Sequence, residues 1–373
     1  MASGRGTAMI AAKEKITPGQ FMMTVIQAQI GVGVLFLPSS VQSVAFNDAW
    51  ISVILSGVTA FLLILVMWGL ARRFPSVTFL EYLPLLLGKV FGKTVLVFYA
   101  AFFILECSLV LVLFADVIKD WIFTNTPTWV ILSLALIASL YIAQENIRTI
   151  ARFLVLTFVL IFLLVIIAAY AFRDANILYI LPINQSGFPS ILKGVVKSMN
   201  SFYGFEMLLF CFPYVLGEGK SILKATVLAN IFSTLFYTFL VFTCLIVFSP
   251  EELKVIPQPV LYMVKALSFT IIERADLYFM TIWAVVVVST VIAYLFMSSR
   301  TISVLLGQKK HRRTAPYVAL FILIISLIPH NQEMINVLQT YVGILSGALL
   351  VGFPLILLGI SYGFGIKGKE QPG

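Results

Sequence analysis

The sequence predicts an all-α polytopic membrane protein of ten transmembrane helices, built as an inverted five-plus-five repeat with helices 1 and 6 broken. Three observations carry this: a composition that only lipid tolerates, a basic charge that alternates from face to face along the chain, and helix-breaking residues at corresponding places in the two halves.

Composition comes first. The 373 residues are 61% hydrophobic and 11% charged, with mean hydropathy +1.04. Soluble domains carry about 45–50% apolar and roughly 25% charged residues. The apolar runs are long and continuous, which excludes an outer-membrane barrel, whose strands alternate. A net charge of +9 in a soluble chain would point to nucleic acid. In a membrane chain it reflects Lys and Arg gathered in cytoplasmic loops, and no nucleic-acid partner is read from it. Cys107, Cys211 and Cys244 fall inside spans without the spacing of a disulfide framework or metal motif. His311 and His330 have no ligand partner at motif spacing. No phosphate loop, dinucleotide fingerprint, metalloprotease motif or nucleophile elbow occurs, so no enzyme, cofactor or metal is expected. The N-terminal fifteen residues lack the apolar run of a signal peptide, and the first apolar segment reads as a true span.

At about 20 residues per crossing, the spans fall at 17–46, 48–70, 94–118, 128–143, 149–172, 188–216, 222–248, 276–304, 315–329 and 334–361. Charge sets their orientation. With the N-terminus inside, only Lys119, Arg173, Lys193, Lys197, Lys254, Lys265 and Arg274 of the 25 Lys and Arg fall on or near the outer face. That face is acidic at Asp48, Asp120, Asp174, Glu251, Glu252, Glu273 and Asp276. Both termini are therefore expected in the cytoplasm. The basic run at 309–313 sets topology and can touch anionic headgroups. The expected organisation is a cytoplasmic tail (1–16), a first five-helix repeat (17–172), an external connection (173–187), a second repeat (188–361) and a cytoplasmic tail (362–373). Long connections at 71–93 and 249–275 follow the second span of each half, on opposite faces. Each holds an amphipathic piece, at 77–87 and 257–270. This is the layout of an inverted repeat.

The candidate site lies where helices fail. Span one contains Gly31-Val32-Gly33-Val34-Leu35-Phe36-Leu37-Pro38. Glycines weaken a helix, and proline removes a donor and clashes with the carbonyl four residues back. In hydrocarbon, freed backbone groups persist only where protein or a polar cavity meets them. The N–H groups at Gly31–Val34 can hold a carboxylate; tight packing through small residues is the alternative reading. Span six supplies the counterpart, Asn200-Ser201-Phe202-Tyr203-Gly204-Phe205-Glu206. Two interrupted helices in corresponding places point to a midplane site. The ligand-binding candidates are Gln27, Ile30, Gly31, Val32, Gly33, Val34, Phe202, Tyr203, Gly204 and Glu206. Glu106 and Glu206 are carboxyls at membrane depth, which must face the bundle interior. Both are candidates for a proton or polar relay, and Glu206 for the acceptor of a ligand amine. Structural hydroxyls and helix-to-helix ties explain Thr24, Gln29, Ser289, Thr290, Ser298 and Ser299 equally well.

The stretch Lys15-Ile16-Thr17-Pro18-Gly19-Gln20, followed by Gln27-Ala28-Gln29-Ile30-Gly31-Val32-Gly33, resembles the first span of spore germination receptor B subunits. These are permease-like membrane subunits of the amino acid–polyamine–organocation superfamily. The lead-in departs mildly, with Thr17 where the family usually has Ser. The resemblance implies a nutrient-germinant receptor subunit in the spore inner membrane that binds a small nutrient such as an amino acid. It also implies an A subunit, a lipoprotein C subunit and a small D subunit as partners. A proton-coupled amino acid permease uses the same pocket and is the competing expectation. Span five offers only Thr157 amid apolar residues, a poor setting for sodium.

Overall fold

The computed structural model describes residues 14–184, 187–267, 274–308 and 310–368. Most of the N-terminal tail, Lys309 of the basic run, the outer end of the 257–270 piece, Glu273 and the last five residues lie outside the described residues.

The described chain is helical apart from one isolated bridge between Ile16 and Val215. Span one is two helices, α1 (Pro18–Gln29) and α2 (Gly33–Ala45); span two is α3 (Ala49–Ala71). A short inner helix, α4 (Phe79–Leu87), precedes α5 (Lys89–Trp121), α6 (Thr128–Ala143) and α7 (Ile147–Ala169). The second half repeats the pattern. Span six is α8 (Gly187–Phe202) and α9 (Met207–Cys211), followed by α10 (Gly219–Val247). Two short helices, α11 (Pro250–Val255) and α12 (Pro259–Ala266), lead into α13 (Ala275–Leu305), α14 (Ala315–Ser326), α15 (Gln332–Ser346) and α16 (Phe353–Gly363).

Six stretches among the described residues are long and apolar enough to cross a membrane, with α6 and α14 as shorter apolar helices. The outer surface agrees with a lipid solvent: Leu156 is 74% and Ile166 65% exposed. The repeat is visible in the packing. Counterpart spans lie against each other, α3 on α10 and α5 on α13, while α1 packs on α10 and α8 on α3. Small residues permit this closeness. A Cβ on Gly57 would lie 2.2 Å from Thr234 Oγ1, and one on Gly194 would lie 2.3 Å from Ser52 Oγ.

Both described chain ends lie at one end of the bundle. Ile16 N donates to Tyr214 O, Trp68 Nε1 to Gly219 O, and Gly368 N to Arg73 O. At the other end Gln42 Nε2 donates to Pro250 O, Asn184 N to Asp48 Oδ1 and Trp121 Nε1 to Gln258 Oε1. An even number of spans follows.

Three boundaries differ from expectation. Helix α5 begins at Lys89, because Gly88 (φ +81) starts the helix well before the apolar run. The outer connection carries an additional helix, α11, ahead of the expected piece, separated from α12 at Pro257 and Pro259. Span ten carries a π-helical segment, Gly347–Gly352, whose Leu349 carbonyl accepts from the Tyr99 hydroxyl at 2.6 Å.

Candidate ligand-binding site

The first break is prepared by the lead-in motif. Thr17 Oγ1 accepts from Gln20 N, Gln20 Oε1 accepts from Thr17 N, and Pro18 fills the first turn. This is a capping box, which starts α1 firmly at one position. The helix ends where Ile30 turns extended (φ −82, ψ 103) and restarts at Gly33. The N–H groups of Val32 and Gly33 donate to no backbone carbonyl among the described residues, while the Gly31 N–H donates to the Tyr237 hydroxyl oxygen. The freed carbonyls are met by hydroxyls. Thr290 Oγ1 on α13 donates to Gln27 O (2.9 Å) and Ile30 O (3.2 Å), and the Tyr237 hydroxyl donates to Gln29 O (2.8 Å). Glycine is required because neighbours press in. A Cβ on Gly31 would stand 2.5 Å from Thr290 Oγ1, and one on Gly33 would stand 2.7 Å from Ser201 Oγ.

The second break follows α8. Gly204 adopts φ +123, a conformation side chains disfavour, and a Cβ there would lie 2.7 Å from Ala28 C and Gln29 N. The two interrupted helices thus touch backbone to backbone. Gln29 ties them: its Nε2 donates to Phe202 O (2.8 Å), and its Oε1 accepts from Ser233 Oγ (2.8 Å). Glu206 turns back onto its own helix. Its Oε2 accepts from Gly204 N (2.7 Å) and its Oε1 from the Tyr294 hydroxyl (3.1 Å).

Between the breaks lies a cavity of about 1010 Å³. Gly31, Val32 and Gly33 line one side and Asn200, Ser201 and Tyr203 another, with Glu106 from α5, Thr290 and Tyr294 from α13, and Asn336, Gln339 and Thr340 from α15. Ser40, Lys193 and Lys197 carry the lining toward the end of the bundle that holds Asn184 and Pro250. The opposite end is closed. Ile16 is clamped between Tyr214 O and Leu216 N. Above it Phe79 packs edge to face on Tyr99 and Phe103 on Phe210, with Phe79 tilted against Phe210. An anion can meet backbone donors on one side of this cavity, and a cation can meet a carboxyl on the other.

A profile of the spore germination protein family matches residues 15–335. The chain belongs to that family. Relatives agree in name and extent. The Bacillus cereus spore germination protein GerQB is 28% identical, over 90% of this chain and 92% of its own length. Spore germination protein KB of Bacillus subtilis is 25% identical over 92% of this chain and 94% of its own length. Spore germination protein B2 of the same organism is 24% identical over 74% of this chain and 75% of its own length. Among solved structures, the nucleobase-cation-symport-1 family transporter Mhp1, closed with bromovinylhydantoin bound, superposes with TM-score 0.63. It covers 95% of this chain and 81% of that one, at 12% identity. The fold is that of a transporter, and the chain is a permease-like, multi-pass membrane protein of spore germination.

Within that fold the predicted site residues separate into two groups. Gly31, Val32, Gly33, Tyr203 and Glu106 reach the cavity. Gln27, Ile30, Val34, Phe202, Gly204 and Glu206 shape the breaks from behind it. The largest difference from expectation is between the two carboxyls. Glu206 is fully buried with both oxygens engaged, so in this structure it braces the broken helix and does not line the cavity. Glu106 is 8% exposed, lines the cavity and has no hydrogen-bond partner among the described residues. Gln27 also lies behind the cavity: its Nε2 donates to Thr157 Oγ1 (3.0 Å), which lies 3.2 Å from Ser289 Oγ.

Some residues were missed. Ser346 Oγ donates to the Tyr203 hydroxyl at 2.7 Å, joining span ten to the second break. Asn336, Gln339, Thr340, Gly343 and Gly347 all line the cavity. Their spacing of three and four residues is a polar and small-residue stripe on one helix face, a signal present in the sequence.

Proposed function

We propose that the chain is the membrane subunit of a nutrient-germinant receptor, and that it binds a small nutrient of the amino acid class between its two broken helices. The observation that carries this reading is the cavity itself. The N–H groups of Val32 and Gly33, which donate to no backbone carbonyl among the described residues, suit a carboxylate on one side. The unpartnered Glu106 carboxyl on another suits an ammonium group, since an ionised acceptor makes the stronger hydrogen bond. Val32, Gly33, Ser201 and Tyr203 leave room for a small side chain. Lys193 and Lys197 give the approach a positive field that draws a carboxylate-bearing ligand inward.

Binding across the gap would pull the two breaks together and shift a conformational equilibrium, by as much as the ligand's preference for the closed state. The family resemblance supplies the readers of that shift: an A subunit, a lipoprotein C subunit and a small D subunit in the spore inner membrane. The basic end of the bundle, with both chain ends, faces the cytoplasm in this reading.

A proton-coupled amino acid permease is the second reading, favoured by the transporter fold and by a carboxyl open to the cavity. A flux assay separates the two. Full-length protein in liposomes is given radiolabelled amino acids with and without an inward proton gradient. Saturable binding without concentrative uptake is expected. Gradient-driven accumulation would replace the receptor reading with the permease.

A further inference from the structure

Away from the ligand cavity, a second hollow of about 760 Å³ opens at the basic end of the bundle. It lies where α13 ends and α14 begins, and it reaches Ile104 in the middle of α5. Arg312 and Arg313 stand at its mouth, and Ile302, Leu306, Tyr317 and Phe321 form its walls. From Thr314 to Phe321 the wall runs about 10 Å along the helix, from the polar end into the apolar zone.

The mouth is held in place. The His311 ring lies 3.0 Å from Ala143 O and edge-on to Phe296, while Thr314 Oγ1 donates to Ser299 O (3.1 Å) and to His311 O (2.8 Å). The turn that presents both arginines is therefore pinned to α6 and α13. Their charge is not used up within the protein. Arg312 is 66% exposed and comes only within 4.0 Å of Glu145. Arg313 is exposed and makes no ion pair among the described residues.

Two guanidinium groups at the level of helix ends, above an apolar trough descending along those helices, match one kind of molecule in shape and charge. We infer that this groove binds an anionic phospholipid. Its phosphate sits at Arg312 and Arg313, where planar donors suit phosphate oxygens, and one acyl chain lies against Tyr317 and Phe321. Leu306 (64%) and Tyr317 (76%) are exposed, as lipid-facing walls require. A small phosphate anion would use the mouth and leave the trough without a role. A zwitterionic lipid would bring a cationic headgroup against the arginines.

The test is native mass spectrometry of the full-length protein in detergent, titrated with phosphatidylglycerol or phosphatidylcholine. The wild type should retain one phosphatidylglycerol in preference to phosphatidylcholine. Removing two surface charges in R312Q/R313Q should weaken that binding by roughly thirtyfold, at about 1 kcal/mol per charge. R313Q alone, which breaks no side-chain hydrogen bond or ion pair among the described residues, should give roughly fivefold. K220Q/K224Q removes two charges from the same end of the bundle outside the groove and should change nothing. Equal retention of the two lipids by the wild type would overturn the inference. An equal loss in K220Q/K224Q would reduce it to bulk charge, and displacement of the lipid by excess inorganic phosphate would make the mouth a small-anion site; either also overturns it.

Discussion

Replacing Gly33 with alanine puts a single methyl group into the gap between the two broken helices. That methyl would stand 2.7 Å from Ser201 Oγ, 3.2 Å from Ser201 Cβ and 3.6 Å from Ser201 Cα. The hydroxyl can rotate aside. The Cβ cannot, so α8 must yield by a few tenths of an ångström. Overpacking of this kind costs about 1–3 kcal/mol, and alanine in place of glycine in the first turn of α2 returns about 0.5–1 kcal/mol. The net loss of about 1–2 kcal/mol leaves a folded protein with a modestly lower melting temperature. Ligand affinity should fall further. The methyl shields the N–H groups offered to a carboxylate, and a hydrogen bond to a charged group is worth about 1.5–3 kcal/mol, or roughly ten- to a hundredfold in Kd. A second substitution divides packing from binding. Ser201→Gly removes the atoms at 2.7 and 3.2 Å and leaves only Cα at ordinary contact. Against the Ser201→Gly baseline, the double variant should regain thermal stability in detergent and still bind an amino acid weakly in scintillation-proximity titrations. Recovery of affinity together with stability would make Gly33 a packing residue and refute the carboxylate cradle.

Three further outcomes follow from the same geometry. Gly204→Ala meets backbone atoms of Ala28 and Gln29 at 2.7 Å with φ at +123, so nothing can rotate away; a loss of about 3 kcal/mol or more, seen as failure to accumulate folded protein, is expected, and normal melting would contradict the backbone contact. Glu106→Gln should weaken ammonium-bearing ligands about tenfold with little change in melting, whereas Glu206→Gln should cost about 1–3 kcal/mol of stability, because an amide NH₂ replaces one of two engaged acceptors, and leave ligand preference alone. The reverse pattern would return the ligand role to Glu206. Burial holds the His311 ring below its ordinary pKa, with the Arg300 charge acting in the same direction. The unfolded chain then binds the extra proton more readily, so stability is complete above about pH 6.5 and declines as pH falls. His311→Gln should flatten the loss of melting temperature between pH 7 and pH 5; an unchanged slope would exclude this histidine as its source.

Much of the fold was legible in the sequence because lipid imposes simple rules. Span length, loop charge and the glycines at 31, 33 and 204 located the ten helices and both breaks. The Lys15–Gln20 lead-in was recognisable as a motif, and its physical work is the Thr17–Gln20 cap together with the Ile16 clamp at Tyr214. The roles of individual side chains were less legible. Residues beyond a break cannot be assigned a face from helical periodicity, since the φ of +123 at Gly204 swings Glu206 back toward its own backbone. Glu106 sits on α5, apolar along almost its whole length, so no polar stripe marked which face met the cavity. Thr290 satisfies carbonyls 260 residues and more away in sequence, a pairing only the tertiary structure reveals. The polar stripe on α15 is present in the sequence, but with no charged residue at membrane depth nothing separates it from ordinary helix-to-helix contacts.

The central claim is that one small zwitterion bridges the Val32 and Gly33 donors and Glu106. Its most direct test is equilibrium binding to the full-length protein in nanodiscs. An amino acid is compared with the amine lacking its carboxylate and the acid lacking its amino group, on wild type and Glu106→Gln. The account expects saturable binding of the amino acid, with both truncated ligands about tenfold or more weaker, at about 1.4 kcal/mol for each lost contact. In Glu106→Gln the amino acid should bind no better than the deaminated acid. An amine that binds wild type as tightly as the amino acid, or no saturable binding of any amino acid, would contradict it.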